Sequence, residues 1–306
     1  MGCYNDLSMA QPIEAILYGH VCQDKNESEA ATYMGSGSPL MFMRKIFLQL
    51  PDVKATLVAS YGEDFLPYTK DVQIYPPVPN VPRTLIYENV SIHGIRQQKA
   101  LNRGEAVAVE INESVREKLQ SSALTFVAPL LPTIPVSYVR FIRNAMPPSG
   151  LLTLLPQGYY RAFDSENRVI PREFVEADEL IRIVDLIIAS EEDSPDFRKQ
   201  AKQWAASSNC LIVVTLGDKG AAAYKGNEEI MLSTRAVAQE DVVDTVGSGD
   251  IFSAVFALHY QKTRNIREAG RFANEIARQC LFYTPDQIQI DYDGLYPGVY
   301  NSSHEK

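Results

Sequence analysis

The chain has 306 residues, 45% hydrophobic and 22% charged, enough to bury a full core as one large domain or one domain with an elaboration. A net charge of -9 and the lack of a Lys/Arg cluster argue against nucleic acid or an anionic membrane as partner. No run approaches the roughly 18 uninterrupted apolar residues of a membrane helix, and residues 1–12 are mixed and polar rather than leader-like, so the expected compartment is the cytoplasm.

From residue 13 onward strands and helices alternate, as a doubly wound sheet requires. Residues 13–17 predict a first strand ending at Tyr18-Gly19-His20, and 53–59 a second ending at Ser60-Tyr61-Gly62-Glu63-Asp64. Residues 71–82 break the alternation, being proline-rich and extended. Residues 84–90 and 96–101 read as strands around His93-Gly94, followed by a turn at Asn102-Arg103-Gly104. Strands are then expected at 124–128, 151–154 and 184–189. Ser194-Pro195 should cap and start a helix with Phe197, Ala201, Trp204 and Ala205 on one face. A β-branched run at 209–216 reads as a buried strand ending in Gly217-Asp218-Lys219-Gly220. A hairpin (221–224 and 228–232 around Lys225-Gly226-Asn227) and a short strand at 241–243 follow. Near the end, Asn265-Ile266-Arg267-Glu268 resembles a capping box for a helix striped by Ala269, Phe272, Ala273, Ile276, Ala277 and Cys280. Cys3, Cys22, Cys210 and Cys280 lack metal-ligand spacing, and Cys210 and Cys280 read as small hydrophobes of a reducing compartment. His20, His93, His259 and His304 have no partners at catalytic spacing.

The most informative stretch is Asp244-Thr245-Val246-Gly247-Ser248-Gly249-Asp250, leading into the apolar segment 251–258. Gly247, Ser248 and Gly249 allow a tight turn that points successive N–H groups into one space at a helix N-terminus, an anion site. A carboxylate on that first turn would repel a resting phosphate, but it suits a base that takes a proton from a hydroxyl attacking the phosphate. The bland alternative is an ordinary helix start capped by Asp244 or Asp250.

Strand, Gly-x-x-Gly turn, hairpin, anion loop and buried helix, in this order, resemble the C-terminal half of the ribokinase (PfkB) family of sugar kinases. Thr215-Leu216-Gly217-Asp218-Lys219-Gly220 matches its Val-Thr-x-Gly-x-x-Gly turn, and residues 244–250 its Asp-Thr-x-Gly-Ala-Gly-Asp loop. The resemblance implies a ribokinase-like three-layer α/β/α sandwich over residues 11–306, with a mostly parallel central sheet and a tail at 1–10. Strands within about 21–34 and 71–106 would form a small β lid over the acceptor, and the lid could also join two copies in a homodimer. It implies ATP as donor with Mg²⁺, and Asp250 as general base beside an anion hole of Gly247, Ser248 and Gly249. Thr215, Gly217, Gly220, Ser190 and Asn274 would serve the nucleotide, with Ala273 and Ala277 on the same helix wall. Asp193 would order the water shell of Mg²⁺, although Ser190-Glu191-Glu192-Asp193 also reads as a helix N-terminus.

On the acceptor side, Gly19-His20-Val21-Cys22-Gln23-Asp24 matches the family's Gly-x-x-x-x-Asp, whose carboxylate holds vicinal hydroxyls. The Gly-Gly pair is reduced to Ser36-Gly37, which makes Gly37 and Ser38 substrate candidates. The family's Asn is replaced by apolar Leu40 or Met41, so an apolar wall is expected there. Gln157-Gly158-Tyr159-Tyr160-Arg161 resembles the branch with myo-inositol kinases and some nucleoside kinases. Arg161 would reach a phosphate or a substrate hydroxyl, the alternative being a surface arginine paired with Asp164 or Glu166. The implied activity is phosphorylation of a small cyclic polyol, sugar or nucleoside. The departures at the substrate motif, and Val255 where the family usually has Gly or Ala, leave open a kinase-like binder of nucleotide or sugar with impaired catalysis. A Rossmann-type oxidoreductase would need Gly-x-Gly-x-x-Gly after the first strand, which Gly19-His20-Val21-Cys22 does not supply.

Overall fold

The computed structural model describes residues 12–28, 32–50, 52–92 and 95–291. The strands in chain order are β1 (Ile13–His20), β2 (Cys22–Ser28), β3 (Thr32–Gly37), β4 (Val53–Ser60), β5 (Ile74–Tyr75), β6 (Leu85–Ile92), β7 (Ile95–Leu101) and β8 (Leu124–Ala128). They continue with β9 (Leu151–Leu154), β10 (Arg161–Phe163), β11 (Val169–Pro171), β12 (Leu186–Ser190), β13 (Leu211–Thr215), β14 (Ala221–Lys225) and β15 (Glu228–Leu232). The helices are α1 (Pro39–Phe47), α2 (Glu113–Gln120), α3 (Val136–Ala145), α4 (Ala177–Leu180), α5 (Phe197–Ser207), α6 (Ser248–Thr263) and α7 (Ile266–Cys280).

A nine-stranded sheet runs β15-β14-β13-β12-β9-β8-β1-β4-β5. Its pairs are parallel from β5 to β13, and the hairpin β14–β15 closes one edge antiparallel. Both faces are covered, which explains why the parallel strands read as continuous apolar runs. Alternation along β1 divides the interior. Ala15 and Leu17 pack in a core under α1, α6 and α7, while Ile16 and Tyr18 pack in a second core under α2, α3 and α5. The result is the expected three-layer sandwich.

Separate from it stands a four-stranded sheet, β3-β2-β6-β7, the expected lid. In chain order its first strand, β2, leaves the end of β1 after the single residue Val21, so the lid continues an interior strand of the large sheet. A small core of Cys22, Leu85, Tyr87, Ala100, Ala106, Leu130 and Leu131 packs where the lid meets the sandwich. Asp64 anchors β6 from below, accepting from Thr84 N at 3.0 Å and from Thr84 Oγ1 at 2.6 Å. Thr84 Oγ1 in turn accepts from Gly62 N at 2.9 Å.

Some expectations shift. Ile74–Tyr75 joins the large sheet beside β4 and not the lid, because the proline run after it can donate few ladder hydrogen bonds. The helix expected from Ser194-Pro195 begins at Phe197 with Asp196 at its N-cap, since Ser194 ends the short turn before it. Residues 241–243 form no strand; Gln239–Asp241 is a 3-10 turn, and Val243 reaches only a single bond to Leu281 O at 2.8 Å. Of the capping box expected at Asn265 only the N-cap half forms, its Oδ1 accepting from Arg267 N and Glu268 N, while its own N–H donates to Thr263 Oγ1 at 3.2 Å and not to Glu268. The turn at His93-Gly94, Cys3, His304 and the tail at 1–10 lie outside the described residues.

Candidate active site

The anion loop takes its shape from Asp244, whose Oδ1 accepts from Val246 N at 2.8 Å, and from Gly247, whose φ of 81° only glycine adopts without strain. A Cβ at Gly247 would also run into the ring of Phe42, which packs against the loop from α1. α6 then starts with no side-chain cap. The N–H groups of Gly249 and Asp250 meet no acceptor among the described residues, whereas that of Ser248 is held by Thr245 O at 3.2 Å. A Cβ at Gly249 would meet nothing within 4 Å, and both Gly249 and Asp250 line open space. Unpaired donors at the positive end of a 16-residue helix make an anion seat. Neither Asp244 nor Asp250 caps the helix, so the ordinary-start alternative fails on geometry.

That seat opens into a cavity of roughly 790 Å³, large enough for a nucleotide and a small second ligand. Its floor carries Asp250. Burial pushes this carboxyl up to about 7, with Arg161 opposing the rise and Asp193 and Asp24 adding to it. Three carboxylates thus converge on one guanidinium. Arg161 owes its position to its neighbours: Tyr159 stacks on Phe174 at 5.0 Å, and Tyr160 packs edge-on against Phe174 and Phe197. With those rings fixed in the core, the next residue must turn into the cavity, where its guanidinium lies 5.0 Å over the Tyr87 ring. The surface alternative for Arg161 is excluded, because Arg168 takes both Asp164 (2.7 Å) and Glu166 (3.1 Å).

On the acceptor side Asp24 lines the cavity from β2, and Cys22 Sγ lies 3.6 Å from its Oδ1. Gly37 sits behind it on β3 and does not line the cavity. A Cβ there would collide with the Asp24 carboxylate, so Gly37 acts by making room. Ser38 lines the cavity with a φ of 100° and a buried hydroxyl that has no hydrogen-bond partner among the described residues. The apolar wall expected at Leu40 and Met41 is corrected: both are buried in the core, because the first turn of α1 directs them toward the sheet. The lining positions of that turn are Ser38, Pro39 and Phe42.

At the other end, Thr215, Gly217 and Gly220 line the cavity, and Thr215 Oγ1 donates to Ala189 O at 3.4 Å. Asn274 also lines it, but its Nδ2 is committed to Leu232 O (2.7 Å) and Ser233 O (3.2 Å), so it braces the loop after β15. Ala277 lines the cavity, while Ala273 is buried behind. Ser190 lines the cavity and forms a reciprocal cap with Asp193, whose Oδ2 accepts from Ser190 N at 2.9 Å. Burial raises the Asp193 carboxyl despite that bond and the nearby Arg161. Val255 is fully buried in the core and does not line the cavity.

Sequence reasoning missed Cys22, Phe42, Tyr87 and three lid amides, Asn26, Asn89 and Gln98, all of which line the acceptor end. The period-2 parity of a strand would have placed Cys22 and Asn26 on the face of Asp24. His20 is committed to structure. Its Nδ1 accepts from Leu130 N at 3.0 Å, so Nε2 carries the hydrogen toward Thr133 Oγ1 at 2.9 Å, and burial lowers its pKa to about 4.

No helix among the described residues is long and apolar enough to cross a membrane. An uncharacterized sugar kinase of Archaeoglobus fulgidus is 34% identical over 88 residues, 29% of this chain and 34% of the relative. A cytidine kinase of Thermococcus kodakarensis is 32% identical over 96 residues, 31% of this chain and 33% of the relative. The chain therefore matches about a third of the length of these curated relatives. Among solved structures, Arabidopsis thaliana ribokinase complexed with ribose and ATP superposes with a TM-score of 0.67 at 18% identity, covering 90% of this chain and 94% of that one. The pfkB family carbohydrate kinase model matches residues 102–291, well over half of the chain and all of its anion loop, and on that match the chain belongs to the pfkB family of carbohydrate kinases.

Proposed function

We propose that this protein transfers the γ-phosphoryl group of ATP to a hydroxyl of a small polyol: a cyclic polyol, a sugar or a nucleoside. The observation that carries the reading is Asp250, a carboxyl poised near neutrality on the first turn of α6, in the one cavity that the unpaired helix N-terminus and Asp24 also line. A base with a pKa near ambient pH can accept a proton from a hydroxyl as the oxygen attacks, and still release it afterwards. A protein that only bound its ligands would have no use for such a base.

The N–H groups of Gly249 and Asp250 would hold oxygens of the migrating phosphoryl and the β-phosphate, in a pocket where fixed dipoles need no reorganisation. Arg161 would balance the charge gathered by Asp24, Asp193 and Asp250 and reach a phosphate oxygen or an acceptor hydroxyl. Asp24 would orient the acceptor by taking hydrogen bonds from two hydroxyls, and the unpartnered Ser38 hydroxyl would complete that hold. Thr215, Gly217, Gly220 and the α7 face with Ala277 would enclose the nucleotide. Mg²⁺ fits the donor set. Glu191 and Glu192 line the cavity and Asp193 lies behind Ser190, while no denser cluster of ligating side chains occurs among the described residues. That suits an ion held mostly by water and phosphate oxygens, which when bound would neutralise phosphate charge.

The test is an ADP-release assay with ATP and Mg²⁺ over inositols, hexoses, pentoses and nucleosides, run beside Asp250→Ala. Turnover on at least one acceptor that vanishes in the variant, with nucleotide binding retained, is the expected result. Nucleotide or acceptor binding with no turnover on any acceptor would move the protein to the silent-binder reading.

A further inference from the structure

The lid turns a graded set of side chains toward the cavity, row by row away from Asp250. Register pairs Cys22 with Leu85, then Asp24 with Tyr87 and Ala100, then Asn26 with Asn89 and Gln98. Because β2 leaves the end of β1 and runs outward, the third row stands two residues beyond Asp24, about 7 Å further along the strand. Its three amides are joined head to tail: Gln98 Nε2 donates to Asn89 Oδ1 at 2.7 Å, and Asn89 Nδ2 donates to Asn26 Oδ1 at 3.0 Å. All three line the same cavity as Asp250.

A row of this kind has a fixed remainder. Three amides joined by two bonds leave a wholly free amino group at one end, a wholly free carbonyl at the other and one spare hydrogen or lone pair on each bonded group, whichever way the row runs. Neither end makes another hydrogen bond among the described residues. A single sugar ring, held by Asp24 with one hydroxyl at Asp250, stops at the second row, beside Tyr87. The third row then stands about 7 Å beyond the carboxylate that holds the ring. An acceptor that extends beyond the ring, with a donor and an acceptor close together along one polar edge, would pair with the spare hydrogens and lone pairs of adjacent groups in the row.

We propose that the Asn26–Asn89–Gln98 row is a specificity element that reads the base of a nucleoside acceptor, while Asp24 holds its sugar. This rests on the kinase reading above and narrows it to one substrate class. The bland role for the row is a staple between lid strands, which would affect all acceptors alike.

The experiment compares cytidine, uridine, adenosine and guanosine with D-ribose and myo-inositol in the full-length protein, by ADP release and by equilibrium binding. Wild-type protein should give at least one nucleoside a specificity constant tenfold or more above ribose and inositol. Asn89→Leu, which breaks the row in the middle, should lower the nucleoside-to-ribose ratio about tenfold. Asn89→Ala gives the same comparison should the bulkier side chain disturb the lid. Ribose or inositol as best acceptor, or an equal loss on all acceptors in both variants, overturns the row as a reader of the base and leaves the kinase reading intact. Nucleoside binding that depends on Asn89 without turnover supports the row and overturns the kinase reading.

Discussion

Replacing Asp250 by asparagine should do two things that seldom go together: abolish turnover and raise stability. In the folded chain this carboxyl ionises at about 7, against 3.8 for the unperturbed group. Between these values the folded state holds a proton that the unfolded chain has released, so stability falls as pH rises through the window and the loss is complete above pH 7. A separation of that size costs the folded state at most roughly 4 kcal/mol at high pH, and less where the cavity stays wet. The asparagine side chain carries no charge and has nearly the same shape, so the Asp250→Asn variant should escape the penalty. At pH 8 its melting temperature should rise by several degrees, while at pH 4 the two proteins should melt together. Turnover should fall by about two orders of magnitude or more, the usual effect of removing a general base. Thermal melts from pH 4 to 8, paired with ADP release, read both quantities. A variant less stable than wild type at pH 8 would refute the electrostatic account, and near-normal turnover would remove Asp250 from the mechanism.

Arg161→Ala removes the one cation that opposes the rise at Asp250, so the acid limb of the pH–rate profile should move to higher pH; an unmoved limb would separate the two residues. Gly249→Val should leave the melting temperature within a few degrees, because its Cβ meets nothing, yet weaken nucleotide binding tenfold or more in calorimetry. Gly247→Ala should show the reverse order of effects, losing on the order of 1–3 kcal/mol of stability by strain at positive φ and collision with Phe42. Gly37→Ala should raise KM for the acceptor with little change in KM for ATP, because its methyl displaces the Asp24 carboxylate. Equal effects on both KM values would point to a general loosening of the lid.

The shape of the loop before α6 was legible in the sequence because it is set by backbone, and backbone demands are written in residue type. Gly247 must be glycine for its φ, and the run after Asp250 must be apolar to be buried, so the turn and the helix after it could be read from residue type, while the elements on both sides favoured an anion seat over an ordinary helix start. The large parallel strands were legible for a similar reason, since burial on both faces forces continuous apolar runs. The acceptor end was harder. Asp24 could be placed only by resemblance, and the wall expected at Leu40 and Met41 failed because helix phase, not hydrophobicity, decides which residue of α1 meets the cavity. Asn89 and Gln98 join Asn26 only through cross-strand register, with Asn26 and Asn89 lying 63 residues apart in the chain. Arg161 reached its place through an aromatic cluster assembled from residues 159–204, which no local pattern announces.

The lid's small core shares no residue with the two cores of the sandwich. The third row of the lid, Asn26, Asn89 and Gln98, belongs to none of the three cores, so substitutions there should leave the packing of α6 and of the large sheet unchanged. Mutational drift can then rewrite what the protein accepts one strand position at a time, while the machinery that moves phosphate stays under unbroken selection. The same separation offers a practical handle: exchanging the outward rows of β2, β6 and β7 between related chains is a route to new acceptor preferences on an unchanged engine.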